Sequence, residues 1–407
     1  MKPLRPLLVF GTRPEAIKMA PVVRACLARP NEIEPIVCLT GQHREMLAQV
    51  TEYFGITHDV DLDLMRPNQT LAGLTARCIE RIDEVLAERQ PDCVVAQGDT
   101  TTVMCASLAA FYRRLPFVHV EAGLRTGDIH SPFPEELNRR VATLTTALHC
   151  APTERSRQNL LREGIADATI QVTGNTVIDA LLWSVERERA AGHSWAEKYA
   201  MLGDRRMVLI TGHRRENFGG GFENICRAIA ELAARFPDVA FVYPVHLNPN
   251  VQEPVRRILA TGWHALTNGK GVESHDAPTS HALPDDQGVP PSVRDNVYLL
   301  PPAPYPEFVW LMDRSTLILT DSGGVQEEAP SLKKPILVMR ETTERPEALD
   351  AGAVELVGTD TAHIVAAATR LLTDPAEYAR RQIAQNPYGD GHAAERIVEL
   401  VLQQNWR

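Results

Sequence analysis

The sequence predicts an α/β protein built of two Rossmann-like, doubly wound parallel-sheet domains facing a central cleft, and three observations carry that reading. Strand-like apolar runs alternate with amphipathic helical stretches through both halves of the chain. Its 407 residues exceed what a single core usually organises, so two domains are the natural division. Two apolar runs also end alike, in a glycine turn that carries a cation and leads to a helix start. They are Leu7-Leu8-Val9-Phe10-Gly11-Thr12-Arg13-Pro14-Glu15-Ala16-Ile17-Lys18 and Val208-Leu209-Ile210-Thr211-Gly212-His213-Arg214-Arg215-Glu216-Asn217. A buried strand running into such a turn presents free backbone N–H groups and a positive dipole end, a site for phosphate. Neither turn matches the strict dinucleotide or P-loop pattern, so the pair carries the reading where one alone would not.

Taken in order, the first half offers strands at residues 7–10, 34–40, 93–97, 117–121, 147–151 and 169–172, with helical periodicity at 71–89 and 101–113 between them. The second half repeats the scheme at 207–211, 240–245, 297–300, 317–320, 336–339 and 354–357. A charged helix bearing Glu186, Arg187, Glu188 and Arg189 marks the passage between them. The expected domains are therefore 1–185 and 186–385, followed by a C-terminal segment 386–407 whose helix spans 393–403. Residues 261–296, rich in Gly, Pro, Asp, Ser and His, read as a long insertion. His264, His275, His281, Asp276, Asp285 and Asp286 lie there without regular ligand spacing, and no metal is expected.

Composition narrows the function classes. A net charge of −10, from 42 basic and 52 acidic residues, argues against a nucleic-acid surface, so cations gathered on glycine turns suit a small anionic ligand. The seven cysteines are dispersed with no C-x-x-C pair and sit in apolar segments, as buried reduced thiols of a cytoplasmic protein would. No apolar run is long enough for a membrane span, and residues 7–10 are too short for a signal-peptide core.

In a parallel sheet ligands sit beyond the carboxyl ends of the strands, which directs attention to the residues just past each run. Asp99 follows the third run, Glu121 the fourth, and Glu135 and Glu136 open a helix after Pro132-Phe133-Pro134. Taken singly, Asp99 reads as a helix cap and Glu135 as a first-turn dipole partner. Together, three carboxylates from successive turns opposite His213 and a set of arginines suit proton transfer beside a phosphorylated leaving group. In the second half, Asp321-Ser322-Gly323-Gly324-Val325-Gln326-Glu327-Glu328 is a strand end, a small-residue turn and an acidic helix start. Ser322, Gly323 and Gly324 let backbone approach a diphosphate closely, a carboxylate one helical turn on can accept from both ribose hydroxyls, and Arg345 follows the next strand.

These motifs, with Gly98-Asp99-Thr100-Thr101-Thr102, His119-Val120-Glu121-Ala122-Gly123-Leu124-Arg125-Thr126 and Arg345-Pro346-Glu347, resemble the non-hydrolysing UDP-N-acetylglucosamine 2-epimerases of bacteria over nearly the whole chain. The resemblance implies the glycosyltransferase-B arrangement and interconversion of UDP-N-acetylglucosamine and UDP-N-acetylmannosamine without a cofactor, for polysaccharide precursor supply. It implies that Asp99, Glu121, Glu135 and His213 are catalytic. It makes Arg13, Lys18, Arg139, Phe308, Ser322, Gly323, Gly324, Glu328 and Arg345 substrate contacts; Ala303 stands where the family often has a glutamine. Activation by a second UDP-N-acetylglucosamine would involve Gln42, His43, Glu136, Arg214, His246 and Gln69. A homodimer is implied by the resemblance alone. A hydrolysing relative, a UDP-sugar transferase and a catalytically silent UDP-sugar sensor are the alternatives on the same cleft.

Overall fold

The computed structural model describes residues 2–41, 44–66, 68–191, 193–259, 296–404 and 406. The proposed effector contacts Gln42 and His43 lie outside the described residues, as does all of the insertion except Asn296. The chain forms two compact units, Met1–Arg187 joined by Gln385–Arg407, and Glu188–Ala384.

The first unit holds β1 (Pro6–Phe10), β2 (Ile36–Leu39), β3 (Val60–Asp61), β4 (Cys93–Gln97), β5 (Phe117–Val120), β6 (Thr146–Ala151) and β7 (Ile170–Val172). They form one sheet in the order β3-β2-β1-β4-β5-β6-β7, parallel throughout. The second unit holds β8 (Arg206–Thr211), β9 (Val239–Pro244), β10 (Val297–Leu300), β11 (Leu317–Thr320), β12 (Ile336–Val338) and β13 (Val354–Leu356), in the order β10-β9-β8-β11-β12-β13, again parallel. The order reverses beside β1 in one sheet and beside β8 in the other, so the turns after these strands stand at switch points. The doubly wound α/β class expected from the sequence is therefore present in both units.

Strands covered on both faces by helices must be apolar nearly throughout, and they are. In the first unit Leu7, Val9, Cys38, Val94 and Ala96 pack with Cys78 and Ile82 of helix Leu71–Arg89 and Ala106 and Ala109 of helix Thr101–Tyr112. In the second, Val208, Ile210, Phe241, Leu317 and Leu319 pack with Phe222 and Ile229 of helix Gly220–Arg235 and Ile364 of helix Thr361–Thr373. Each buried Leu, Ile or Val contributes about 1.5–3 kcal/mol. The described cysteines are all buried and unpaired, and burial pushes the Cys150 and Cys226 thiols up to about 12. Among the described residues no helix is long and apolar enough to cross a membrane.

The last helix, Ala393–Gln403, belongs to the first unit. Its buried Ile397, Val398 and Val401 face helix Arg13–Leu27, and Arg29 pairs with Glu399 at 2.7 Å. Asp179 Oδ1 accepts from Ala394 N at 2.7 Å and anchors the start of that helix.

His119 of β5 is fully buried, its Nε2 lies 2.7 Å from the Gly98 carbonyl, and Nδ1 has no hydrogen-bond partner. Burial, chiefly, pushes its pKa down from 6.5 to about 4. The native state thus holds a neutral ring that the unfolded chain protonates first on acidification. The stabilisation is complete above the unfolded value and is lost as pH falls from 6.5 towards 4, about 3 kcal/mol in all. The difference in urea-unfolding free energy between the parent protein and His119→Asn is expected to change by about that amount across this range, the parent losing its advantage as pH falls.

Candidate active site

In the first unit the acids converge at the carboxyl ends of β4 and β5. Glu121 does not continue β5. The strand ends at Val120, because Glu121 has φ +65 and Gly123 has φ +90, and two left-handed residues turn the chain sharply. A Cβ at Gly123 would stand 2.3 Å from the Ser156 carbonyl oxygen, so only glycine permits this turn. The Glu121 side chain is buried and held from three directions. Lys18 Nζ donates to Oε1 at 2.6 Å, Asn175 Nδ2 donates to Oε1 at 3.1 Å, and Gln97 Nε2 donates to Oε2.

Asp99 follows Gly98, whose φ of +89 makes the turn out of β4. Arg139 grips its Oδ2 with Nη2 at 2.6 Å and Nε at 3.0 Å, and Asn138 Nδ2 donates to the Asp99 carbonyl at 2.8 Å. Thr100 rather than Asp99 caps the next helix, accepting from Val103 N. Glu135 opens helix Glu135–Thr145, which also carries Asn138 and Arg139, and its Oε2 is shielded from solvent with no hydrogen-bond partner. Glu136 is wholly buried and accepts from Arg139 at 3.0 Å, Arg140 at 3.3 Å and Thr126 N at 3.2 Å, so it ties the helix to the turn after β5. Gln69 accepts from Arg77 and from Arg66 N.

The turn after β1 corrects the sequence expectation of free amides. Gly11 N and Thr12 N donate to Glu15 Oε2 at 2.9 and 2.7 Å, and Thr12 Oγ1 accepts from Glu15 N, a reciprocal capping box. Glu15 is buried, and desolvation raises its pKa against the lowering effect of Thr100, Gly11 and Thr12. Arg13 and Lys18 lie half-buried on the first turns of this helix, so the cations remain beside the turn after its amides are taken.

The turn after β8 departs further from expectation, because no helix starts at His213. A short 3₁₀ turn, Arg215–Asn217, comes first, and the helix begins only at Gly220, after Gly219 at φ +84. The cause is Asp321, fully buried just past β11. Its Oδ2 accepts from His213 N and Arg214 N, each at 2.8 Å, and from Asn217 Nδ2 at 3.4 Å, which pulls the loop down onto the sheet. His213 Nδ1 stands 3.6 Å from Asp321 Oδ1, an oxygen that accepts no hydrogen bond, and the ring stacks on His246 at 5.2 Å. Partial burial lowers the His213 pKa, with the Asp321 carboxylate opposing and His246 and Arg214 assisting. The ring is thus biased towards its neutral form, with one nitrogen available as a donor.

Beyond Asp321, Ser322 N donates to Thr320 Oγ1 at 2.9 Å and the chain enters helix Gly323–Glu328. A Cβ at Gly323 would stand 2.6 Å from the Arg345 guanidinium carbon, so this glycine lets Arg345 lie across the turn. Arg345 Nε donates to Glu327 at 2.7 Å, and Tyr305 OH reaches Glu328 Oε2 at 3.5 Å. Phe308 is half-buried on helix Tyr305–Arg314. Arg214 is half-buried and His246 exposed. The strand-end rule singled out the acids but missed two holders of Glu121, Gln97 in β4 and Asn175 after β7, and the part Asp321 plays in anchoring the loop at His213. The sequence marks Asp321 only as the strand end that opens the Ser322-Gly323-Gly324 turn.

Two parallel doubly wound units, one gathering carboxylates and cations at its strand ends and the other a glycine turn before an acidic helix, define a protein of the glycosyltransferase-B class. A family model described as UDP-N-acetylglucosamine 2-epimerase matches residues 25–402. The UDP-N-acetylglucosamine 2-epimerase of Yersinia pestis is 53% identical over 98% of this chain and 98% of its own length. That of Escherichia coli K12 is 52% identical, again over 98% of both chains. The crystal structure of UDP-GlcNAc 2-epimerase from Neisseria meningitidis bound to UDP-GlcNAc superposes with TM-score 0.85 at 46% identity, over 98% of this chain and 100% of that one. The chain belongs to the UDP-N-acetylglucosamine 2-epimerase family.

Removing Asp321 strands two backbone amides and a neighbouring imidazole. Asp321→Ala is expected to cost about 2–3 kcal/mol in urea unfolding and to weaken UDP binding measured by calorimetry; unchanged UDP affinity would separate the anchor from the ligand site.

Proposed function

We propose that this protein interconverts UDP-N-acetylglucosamine and UDP-N-acetylmannosamine by expelling UDP and adding it back after inversion at C2. The observation that carries the reading is that three carboxylates at two neighbouring strand ends and the helix beside them have unlike surroundings: Glu121 with Lys18, Asp99 with Arg139, and Glu135 with an oxygen that accepts no hydrogen bond. Its second support is the family relationship.

The C2 proton of a glycosyl donor is not acidic, since no carbonyl conjugates with the carbanion, so UDP must depart first. Cations and donors that bind the diphosphate more tightly as its charge grows favour that bond breaking in the transition state. In this reading Arg13, His213, Arg345 and the Ser322-Gly323-Gly324 turn hold the diphosphate, Glu328 takes the ribose hydroxyls, and Phe308 packs near the base. The cationic sugar left behind makes C2–H far more acidic. A carboxylate takes that proton to give 2-acetamidoglucal, and reprotonation on the opposite face with return of UDP gives the epimer. Inversion needs acids on both faces, which several carboxylates supply. No hydride leaves the sugar, so the route is redox-neutral.

The same reading takes in cytoplasmic supply of precursor for cell-surface polysaccharide. It also takes in activation by a second UDP-N-acetylglucosamine near Arg214 and His246, which sigmoidal kinetics would reveal. It takes in a homodimer as well; Phe111, Tyr112, Phe133 and Leu144 are large apolar side chains left exposed on the first unit.

Incubation with UDP-N-acetylglucosamine in deuterated water, with no acceptor, is expected to place deuterium at C2 of both UDP-sugars. Free N-acetylmannosamine with UDP would instead mark a hydrolase, and an untouched C2–H would leave a transferase or a sensor. Glu135→Gln is expected to lower kcat by about 10²–10³-fold in the same assay while UDP still binds.

A further inference from the structure

We propose that the C-terminal segment is part of the acid–base apparatus, with Tyr388 and Gly389 fixing Asn175 and Asn175 acting as a positioning residue that keeps the Glu121 carboxylate aimed. The inference rests on the function proposed above and adds to it a residue and a segment far from the strand-end acids in sequence.

Asn175 follows β7, and its side chain serves two partners at once. Nδ2 donates to Glu121 Oε1 at 3.1 Å, while Oδ1 accepts from Val177 N at 3.1 Å and so starts helix Thr176–Ala190. An amide with each end committed has one orientation, so the donor presented to Glu121 cannot flip away. Its backbone is pinned as well: Asn175 N donates to the Tyr388 carbonyl at 2.7 Å. Tyr388 is 3% exposed, and its own amide is turned by Asn386 Oδ1 at 3.0 Å.

The two segments meet through glycine on both sides. A Cβ at Gly389 would lie 3.4 Å from Asn175 N and 3.6 Å from Gly174 Cα, and one at Gly174 would lie 3.5 Å from Gly389 Cα. Gly389 has φ +147 and Gly174 φ +90, so neither place suits an L side chain. Farther along, Arg396 Nη1 donates to the Thr173 carbonyl at 3.1 Å and Asp179 takes Ala394 N at 2.7 Å, so beyond the contact the segment is fastened to residues on either side of Asn175. Displacement at Gly389 therefore reaches Asn175, and through it a buried carboxylate whose backbone is already in a left-handed conformation.

The test uses the full chain with two variants. Asn175→Ser keeps a hydroxyl that can accept from Val177 N but loses the donor to Glu121; Gly389→Ala leaves Asn175 itself intact and strains the φ +147 backbone that lies against it. Each is expected to lower kcat about tenfold with KM within about twofold of the parent, since the substrate contacts are untouched. Loss of a donor to the ionised carboxylate should also move the acidic limb of the kcat–pH profile up by about half to one unit. A purely structural role would lower the unfolding temperature and leave both kcat of the folded fraction and the limb where they were, which would overturn the proposal. Should Gly389→Ala not fold, Asn175→Ser decides alone. Deuterium exchange at C2 by the parent separates the two readings: parent exchange with parental variants sinks this inference only, whereas a parent that leaves C2–H intact sinks the function it rests on.

Discussion

A carboxylate removed from water must be given hydrogen-bond donors, and the loops of this molecule are arranged around that requirement. Asp321, with no exposed surface, draws two consecutive amides of the loop after β8 onto one oxygen and sets the His213 ring beside the other. Glu15 does the same for the turn after β1. In both places an acid of the chain's own occupies the backbone donors that a strand–turn–helix pattern would offer to phosphate. The cations near these turns are thereby positioned on backbone that is already satisfied. Lys18 bonds Glu121 and Arg345 bonds Glu327, so each carries an internal ion pair.

The same requirement makes the three acids of the first unit chemically unlike. Glu121 accepts on both oxygens from an ammonium and two amides, and Asp99 faces a guanidinium that holds one oxygen by two bonds. Glu135 keeps a shielded oxygen without a donor. Carboxyl groups in such different company have different tasks open to them, and the proposed removal and delivery of a proton would draw on that difference. The rigidity of Glu121 comes from elements spread along the unit: helix Arg13–Leu27, β4, and the segment before helix Thr176–Ala190.

Much of the fold was readable before any coordinates. Strands such as Cys93–Gln97, Val297–Leu300 and Leu317–Thr320 are unbroken apolar runs bounded by polar turns, and their limits follow from composition. The edge strand Val60–Asp61, two residues long and half exposed, has no such signature. The places of Asp99 and Glu121 just past β4 and β5, and of Glu135 at a helix start, were legible because apolar runs and turn residues mark those boundaries. What Asn175 and Asp321 hold was not, because Asn175 lies 54 residues from Glu121 and Asp321 108 residues from His213, and only the folded topology joins each pair. The late start of helix Gly220–Arg235 escaped notice for the same reason: a distant side chain outcompetes the local helical bonds of residues 213–219.

The return of residues 385–407 to the first unit makes that unit discontinuous in sequence. As the chain leaves the ribosome, the whole of Glu188–Ala384 emerges before helix Ala393–Gln403 can cover helix Arg13–Leu27. The second unit can therefore mature during synthesis, whereas the first must wait for an element of high sequence separation, with apolar surface uncovered in the interval. Nascent chains would hold a complete second unit well before a complete first one, so the order of translation itself delays completion of the fold.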